Sequence, residues 1–154
     1  MMRSLITLTF CAVIASASAT EIDQANPVSQ EQTTVLVELS RKSGLPSGEL
    51  SKILSDCNGN QQNMYFCAWR DQIDATLEFD RVLANKYQKF STCKAFMGLK
   101  VDKWAQSRDI SCAKSATNEF GQGSMKPTAQ AMCVTAETVK MTKRLERLKS
   151  CGKP

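Results

Sequence analysis

The segment from Gln61 to about Phe90 is long and contains neither proline nor glycine. Those two residues are the ones that most often end a helix, so a segment of this length without them predicts one long helix. Apolar side chains recur along it at steps of three and four residues, which is the spacing of a buried stripe. The stripe consists of Met64, Cys67, Ala68, Ala75, Phe79, Val82, Leu83 and Phe90. We expect this helix to be the spine of the domain.

Residues 33–55 precede the long helix and carry two short apolar repeats separated by a Gly-Leu-Pro turn at residues 44–46. This pattern predicts a helical hairpin, with Ser47 as the cap of its second helix. Residues 20–32 are polar and contain one proline, so we expect a flexible N-terminus there.

Two further helices are predicted after the long one, from about Cys93 to Ala116 and from Ala129 to about Lys149. Between them, glycine and proline interrupt the pattern over residues 118–127, and a second irregularity is expected at Gly98. No alternation is long enough to build a sheet. The fold class is therefore all-α: a small helical bundle with a long central helix, in one domain over residues 56–154 that follows the hairpin.

The first 19 residues have the order of a cleavable signal peptide. Arg3 gives a positive start, residues 5–14 are mostly apolar, and the Ala-Ser-Ala sequence at residues 17–19 suits signal peptidase. The apolar run is shorter than the roughly 20 residues that span a bilayer, so we expect no stable membrane insertion. The mature chain should begin at Thr20 and be soluble in the periplasm or outside the cell.

Seven cysteines are present, and Cys11 should leave with the signal peptide. An even number of cysteines in an exported chain favours three disulfides. A metal site is disfavoured because the chain has no histidine and no C-x-x-C pair. The six mature cysteines are Cys57, Cys67, Cys93, Cys112, Cys133 and Cys151.

The formal net charge is +5, and loss of Arg3 lowers it to +4. Residues 39–54 imitate a DNA-binding helix-turn-helix. An exported protein meets no operator DNA, so we expect no nucleic-acid partner and interpret this corner as helix packing and the lysines as a solvated surface.

Three sets of side chains are candidates for binding. Asp71, Asp74 and Glu78 share one face of the long helix and could contact a cationic partner, although such a row is usually a solvated face. Trp104 and Arg108 lie one helical turn apart and, with Asp109, could hold a sugar or peptide group; the alternative is that these three residues anchor helix packing.

The third set is the glycine-rich loop, our preferred contact surface. If the disulfides hold it rigid at its base, binding loses less conformational entropy. A plain helix connector is the competing interpretation. The loop residues expected to contact a partner are Phe120, Gly121, Gly123, Ser124 and Met125.

The chain is not expected to be an enzyme. It has no histidine, its mature cysteines should be oxidised, and no pair of carboxylates is marked for glycoside hydrolysis. We therefore expect no catalytic residues, no cofactor and no metal.

Two spaced motifs resemble the lysozyme-inhibitor LprI-like family of bacterial exported proteins. The first comprises Cys57, Gln62, Met64 and Cys67-Ala68, and the second is W-x-x-x-R-D-x-x-C from Trp104 to Cys112. The resemblance continues through residues 121–124 and Cys133 and covers about residues 57–148. Three residues after Thr138, where the family often has arginine, this chain has Met141.

The resemblance implies disulfides Cys57–Cys67 and Cys112–Cys133, which leaves Cys93 to pair with Cys151. It also implies a protein that binds and blocks a lysozyme without a cofactor. The alternative is a secreted or periplasmic interaction or virulence module with a different partner. A mature charge of +4 gives no long-range attraction to a basic lysozyme, so a local acidic patch would be needed. The oligomeric state stays open.

Overall fold

The structure is a computed structural model that describes residues 27–151, with side chains described from Thr34 onward. The predicted signal peptide and residues 20–26 lie outside this part of the chain. Within residues 27–151 the secondary structure is helical and includes no strand, so the all-α prediction is confirmed. The helices are α1 (Pro27–Ser43), α2 (Ser47–Leu54), α3 (Gln61–Lys89), α4 (Lys94–Phe120) and α5 (Lys126–Glu146), with a short 3-10 turn over Ser91–Cys93.

The hairpin of α1 and α2 differs from its prediction at two points. α1 begins at Pro27, six residues before the predicted start of the hairpin at residue 33; a proline fits the first turn because its missing N–H has no intrahelical partner there. α2 begins at Ser47, but its N-cap position is Pro46, whose carbonyl accepts from the backbone N–H of Leu50 at 3.1 Å. The prediction of Ser47 as the cap is therefore wrong.

The long helix α3 forms as predicted and extends for about 43 Å at 1.5 Å per residue. It begins where Asn60 caps it, because the Asn60 side chain accepts a hydrogen bond from the backbone N–H of Asn63 at 2.9 Å. Its two halves bury different neighbours, so one continuous helix joins two apolar clusters.

The hairpin cluster is the one built on the first half of α3. Leu39 of α1 and Leu50 of α2 are fully buried there, and Tyr65 and Trp69 pack at its side with their ring centroids 5.6 Å apart. The buried members of the hairpin cluster are Val35, Leu39, Leu50, Phe66 and Ile73.

The bundle cluster is built on the second half of α3. Trp104 of α4 packs against Phe79 of α3 with their ring centroids 5.2 Å apart. The buried members of this cluster are Phe79, Val82, Leu83, Met97 and Leu145.

Helices α3, α4 and α5 run up, down and up. At one end, the Ser124 hydroxyl between α4 and α5 donates to the side-chain carbonyl of Gln61 at 2.8 Å. At the other end, the Lys86 ammonium donates to the backbone carbonyls of Glu146 at 2.9 Å and Leu148 at 3.1 Å. α3 and α5 are therefore parallel. We call the Gln61–Ser124 end the loop end and the Lys86–Leu148 end the opposite end.

α5 lies close against α3 because small side chains fill their interface. Ala68 and Ala75 of α3 and Ala131 and Thr138 of α5 are all buried. α4 packs on α5 and approaches α3 less closely, which leaves a gap between α3 and α4 in the half of the bundle near the loop end.

The three predicted disulfides are present with the pairing that the resemblance implies. Their Cα–Cα distances are 5.7 Å for Cys57–Cys67, 6.4 Å for Cys93–Cys151 and 5.5 Å for Cys112–Cys133. The first joins the segment after α2 to α3, the second ties the end of the described chain to the start of α4, and the third joins α4 to α5.

The boundaries of α4 and α5 correct the loop prediction. α4 continues to Phe120 because polar residues after Ala116 do not break a helix, and it ends at Gly121, whose φ of 57° suits glycine. α5 begins at Lys126 with a proline in its first turn. The connection is therefore only residues 121–125. The helix is regular at Gly98. A Cβ added to this glycine would lie 3.4 Å from the hydroxyl oxygen of Tyr87.

Within residues 27–151, every helix is either too short or too polar to cross a membrane.

Candidate functional site

The acidic row on α3 is exposed at Asp71 and half-buried at Glu78, and both of these carboxylates have arginine partners. Asp71 pairs with Arg70 at 2.7 Å, and Glu78 pairs with Arg81 at 2.6 Å. The hydrogen bonds from Arg81 lower the pKa of Glu78. Asp74 is exposed as well. The row is thus a face of alternating charge, which weakens its case as a separate binding patch.

The glycine-rich loop is short and held by hydrogen bonds. The backbone N–H of Gly123 donates to the carbonyl of Phe120 at 2.8 Å, and the N–H of Lys126 donates to the carbonyl of Gly123 at 3.1 Å. A Cβ on Gly123 would lie 2.9 Å from the Phe120 carbonyl oxygen, so only glycine fits there without a shift. Together with the Ser124–Gln61 hydrogen bond, these contacts make the loop preorganised.

Exposure within the loop differs from the expectation. Gly121, Gly123 and Ser124 are exposed, whereas Phe120 and Met125 are half-buried. The surface that the loop offers is therefore polar backbone and a hydroxyl rather than large apolar side chains. The Cys112–Cys133 disulfide lies within the two helices, about two turns below the loop, so it fixes the helix pair and the loop is fixed by its own hydrogen bonds.

Trp104, Arg108 and Asp109 form a connected group on α4. The Arg108 guanidinium lies 4.9 Å from the Trp104 ring centroid, donates to the Asp109 carboxylate at 2.8 Å and donates to the Thr138 hydroxyl of α5 at 2.8 Å. Thr138 in turn donates to the carbonyl of Val134 at 2.6 Å. The side chain of Arg108 is only 14% exposed.

This geometry favours the packing interpretation of the motif. Trp104 lies against Phe79, and Arg108 ties the middle of α4 to the middle of α5 rather than to a helix terminus. The guanidinium already contacts Trp104, Asp109 and Thr138, so its role in packing is better supported than a role in binding a ligand.

Two motif residues nevertheless line a cleft, which occupies the gap between α3 and α4 and has a volume of about 360 Å³. Arg108 and Asp109 form one wall, Tyr65, Trp69 and Gln72 of α3 form the other, and α5 forms the floor. Burial raises the pKa of Tyr65 above its ordinary value, and the hydroxyl, neutral at physiological pH as in any tyrosine, can donate a hydrogen bond.

The cleft combines aromatic faces, two side-chain amides and one ion pair, which suits a polar uncharged segment such as an exposed peptide strand or a sugar chain. Sequence reasoning identified Arg108 and Asp109 but missed Tyr65 and Trp69. The available signal was their spacing: two aromatic residues one turn apart, beside the apolar stripe of α3 rather than in it.

Charge is distributed unevenly along the bundle. Residues 56–78 and 105–136, which form the loop end, carry six acidic and four basic residues, a formal charge of −2. Residues 79–104 and 137–151, which form the opposite end, carry four acidic and eleven basic residues, a formal charge of +7. The excess of positive charge therefore lies at one end of the molecule.

Comparisons with protein-family models, with curated proteins and with solved structures find no match to this chain.

Proposed function

We propose that the protein is an exported inhibitor that binds a lysozyme through the loop end of its bundle. The observation that carries this proposal is the charge polarity, −2 at the loop end against +7 at the opposite end. A basic lysozyme is attracted to the first and repelled by the second, so long-range forces would orient the encounter. The overall charge stays positive, and the loop end supplies the local acidic surface that such a partner needs.

The loop end also offers a suitable contact surface. The loop at residues 121–125 is held in one conformation by its hydrogen bonds, and Pro127, just after it, lines the cleft between α3 and α4. The exposed loop and the concave cleft are therefore adjacent surfaces. A preorganised edge loses little conformational entropy on binding, which favours affinity.

Export is part of the same proposal. Three disulfides are typical of proteins that work in an oxidising compartment such as the periplasm or the extracellular space. The predicted signal peptide at residues 1–19 supplies the route, and the motif from Trp104 to Cys112 supplies the resemblance to exported lysozyme inhibitors.

The direct test measures lysozyme activity on cell walls with increasing amounts of oxidised protein, residues 20–154, using several lysozyme classes. We expect saturable inhibition of at least one class, lost when the disulfides are reduced. Absence of inhibition for every class would overturn the proposal.

A matched pair of charge reversals tests the orientation. The first variant, Glu119→Lys, changes an exposed residue in the last turn of α4, at the loop end. The second, Glu146→Lys, changes the exposed last residue of α5, at the opposite end. Both change the net charge equally. We expect Glu119→Lys to weaken inhibition about tenfold, Asp74→Ala to weaken it less, and Glu146→Lys to leave it within twofold.

The second candidate function is an interaction module for a different envelope or host protein. The cleft favours it, because its mixture of aromatic, amide and charged groups fits a peptide segment without requiring a lysozyme. Affinity capture from envelope extract separates the two functions, since an inhibitor of lysozyme needs no other bacterial partner. Capture of one protein that is lost on Trp69→Ala would support the module.

A further inference from the structure

A second concave surface lies at the opposite end of the bundle, between α4 and α5. It has a volume of about 310 Å³ and its walls are almost entirely apolar. The apolar side chains that line it are Phe96, Met97 and Val101 of α4, with Met141 and Leu145 of α5 and Leu148 beyond the end of α5.

Among residues 27–151, the charged residues that line this groove are both cations, Lys100 from α4 and Arg144 from α5. The Lys100 ammonium lies 4.5 Å from the Phe96 ring centroid, so it sits directly above the apolar wall. Arg144 is exposed and forms no ion pair within the described part of the chain. The nearest carboxylates on the two helices, Asp102 and Glu146, do not line the groove.

The groove is held open by fixed contacts. Cys151, which lines it, is bonded to Cys93 at the start of α4. Lys86 of α3 binds the carbonyls of Glu146 and Leu148 and so fixes the end of α5. A concave apolar surface with a fixed frame is the usual form of a small-molecule site.

We propose that this groove binds a fatty acid, with its acyl chain along the apolar walls and its carboxylate at Arg144 and Lys100. The apolar lining excludes polar polymers, and the two cations select an anionic head group. Met97 and Met141 are flexible side chains that adapt to a chain of variable shape. The surrounding charge of +7 raises the local concentration of anionic amphiphiles.

The volume predicts a preferred chain length. A methylene group takes up roughly the 30 Å³ of a water molecule, so the groove holds about ten of them. Each additional buried methylene should raise the affinity about fourfold until the groove is full.

The experiment is calorimetric titration of oxidised protein, residues 20–154, with hexanoate, octanoate, decanoate and dodecanoate below their micelle concentrations. We expect one binding site and a negative heat-capacity change on binding. The affinity should rise about fourfold for each methylene up to about decanoate. Decanol should bind at least tenfold more weakly than decanoate, and decyltrimethylammonium should not bind. Equal binding of the three decyl compounds, or no binding of decanoate, would overturn the proposal.

A pair of double variants locates the site. Lys100→Gln/Arg144→Gln removes the two lining cations, and Lys103→Gln/Lys143→Gln removes two exposed cations of the same helices that do not line the groove. We expect the first to weaken decanoate binding about tenfold and the second to change it less than twofold. Equal losses would mean that only the general positive charge matters, which contradicts a site.

Methionine-methyl NMR gives an independent readout. The signals of Met97 and Met141 should shift on addition of decanoate, while that of Met132, which is exposed on α5 outside the groove, should not. A shift of Met132 alone would contradict the location. The loop-end variant Glu119→Lys should bind decanoate normally, so this site and lysozyme inhibition can fail separately.

Discussion

The two halves of α3 are stabilised in different ways. The first half carries the hairpin cluster, where α1 and α2 rest on Phe66 and Ile73 through apolar contacts, and the nearby disulfide spans only 10 residues. The second half carries the bundle cluster, whose helices are also joined by disulfides that span 21 and 58 residues. Local opening should therefore begin at the hairpin, because α1 and α2 rest on α3 through apolar contact and only the segment after α2 is cross-linked to α3.

The largest expected difference between the two regions comes from their disulfides. The chain-entropy model assigns about 4 kcal/mol to the 58-residue loop closed by Cys93–Cys151 and about 2.7 kcal/mol to the 10-residue loop closed by Cys57–Cys67. Replacing each pair by alanines should lower the free energy of unfolding in urea in that order. The reverse order would show that the local bridge, not the apolar contact, holds the hairpin.

The second-largest loss of stability is expected when a buried side chain of the hairpin cluster is truncated. Leu39 is fully buried, so Leu39→Ala should lower the free energy of unfolding by about 3 kcal/mol. Amide exchange should accelerate in α1 and α2 and stay slow in α5. The control is Val37→Ala on the same helix, where 57% exposure predicts less than about 0.5 kcal/mol. Equal acceleration in all helices would mean that the two halves of α3 unfold as one unit.

A smaller effect is expected from the hydrogen bond between Arg108 of α4 and Thr138 of α5. Arg108→Met keeps the apolar stem over Trp104 but removes the hydrogen bond to Thr138, and Thr138→Val removes the acceptor. Each variant should lower the free energy of unfolding by about 1 to 2 kcal/mol. Their double variant should cost about 1 kcal/mol less than the sum, as measured by urea denaturation. Strict additivity would show that the hydrogen bond contributes nothing.

The smallest effect is electrostatic, and the chain offers one tyrosine in each half. Burial raises the pKa of Tyr65, and burial together with the negative charge of Asp102 raises that of Tyr87. A pKa raised by folding means that the folded state holds the phenol proton more tightly. The resulting stabilisation is complete below about pH 10 and is lost as the pH rises through the folded-state pKa.

Absorbance titration at alkaline pH should therefore show both phenols ionising above the usual range. Asp102→Asn should lower the pKa of one phenol only, that of Tyr87. A shift of both phenols would indicate a general change in structure rather than the proposed contact.

Much of the fold could be predicted because the strongest local signals agree with the tertiary contacts. The stretch from Gln61 to Lys89 has no helix-breaking residue and a continuous apolar stripe, and it forms one helix. The predicted boundaries differ from the structure where the local sequence signal is weak. Asn118 and Glu119 are polar but do not stop a helix, so α4 continues until Gly121.

The binding surfaces were less predictable because they depend on how separate helices align. Arg108 and Asp109 were marked by their motif, whereas Tyr65 and Trp69 join them only because α3 and α4 stand apart. The groove of the opposite end likewise depends on two antiparallel helices that bring Lys100 and Arg144, 44 residues apart in sequence, to one surface. Periodicity identifies the face of one helix, but not the partner that it meets.

Because one continuous helix carries both clusters, we expect the length of α3 to tolerate little change. Inserting a single residue between Ile73 and Phe79 would rotate the hairpin cluster by about 100° relative to the bundle cluster, and both could not stay buried. Insertions or deletions should thus be absent from the middle of α3 in related sequences. Length variation should instead collect at residues 121–125 and in the turn before Asn60, where no buried stripe is displaced.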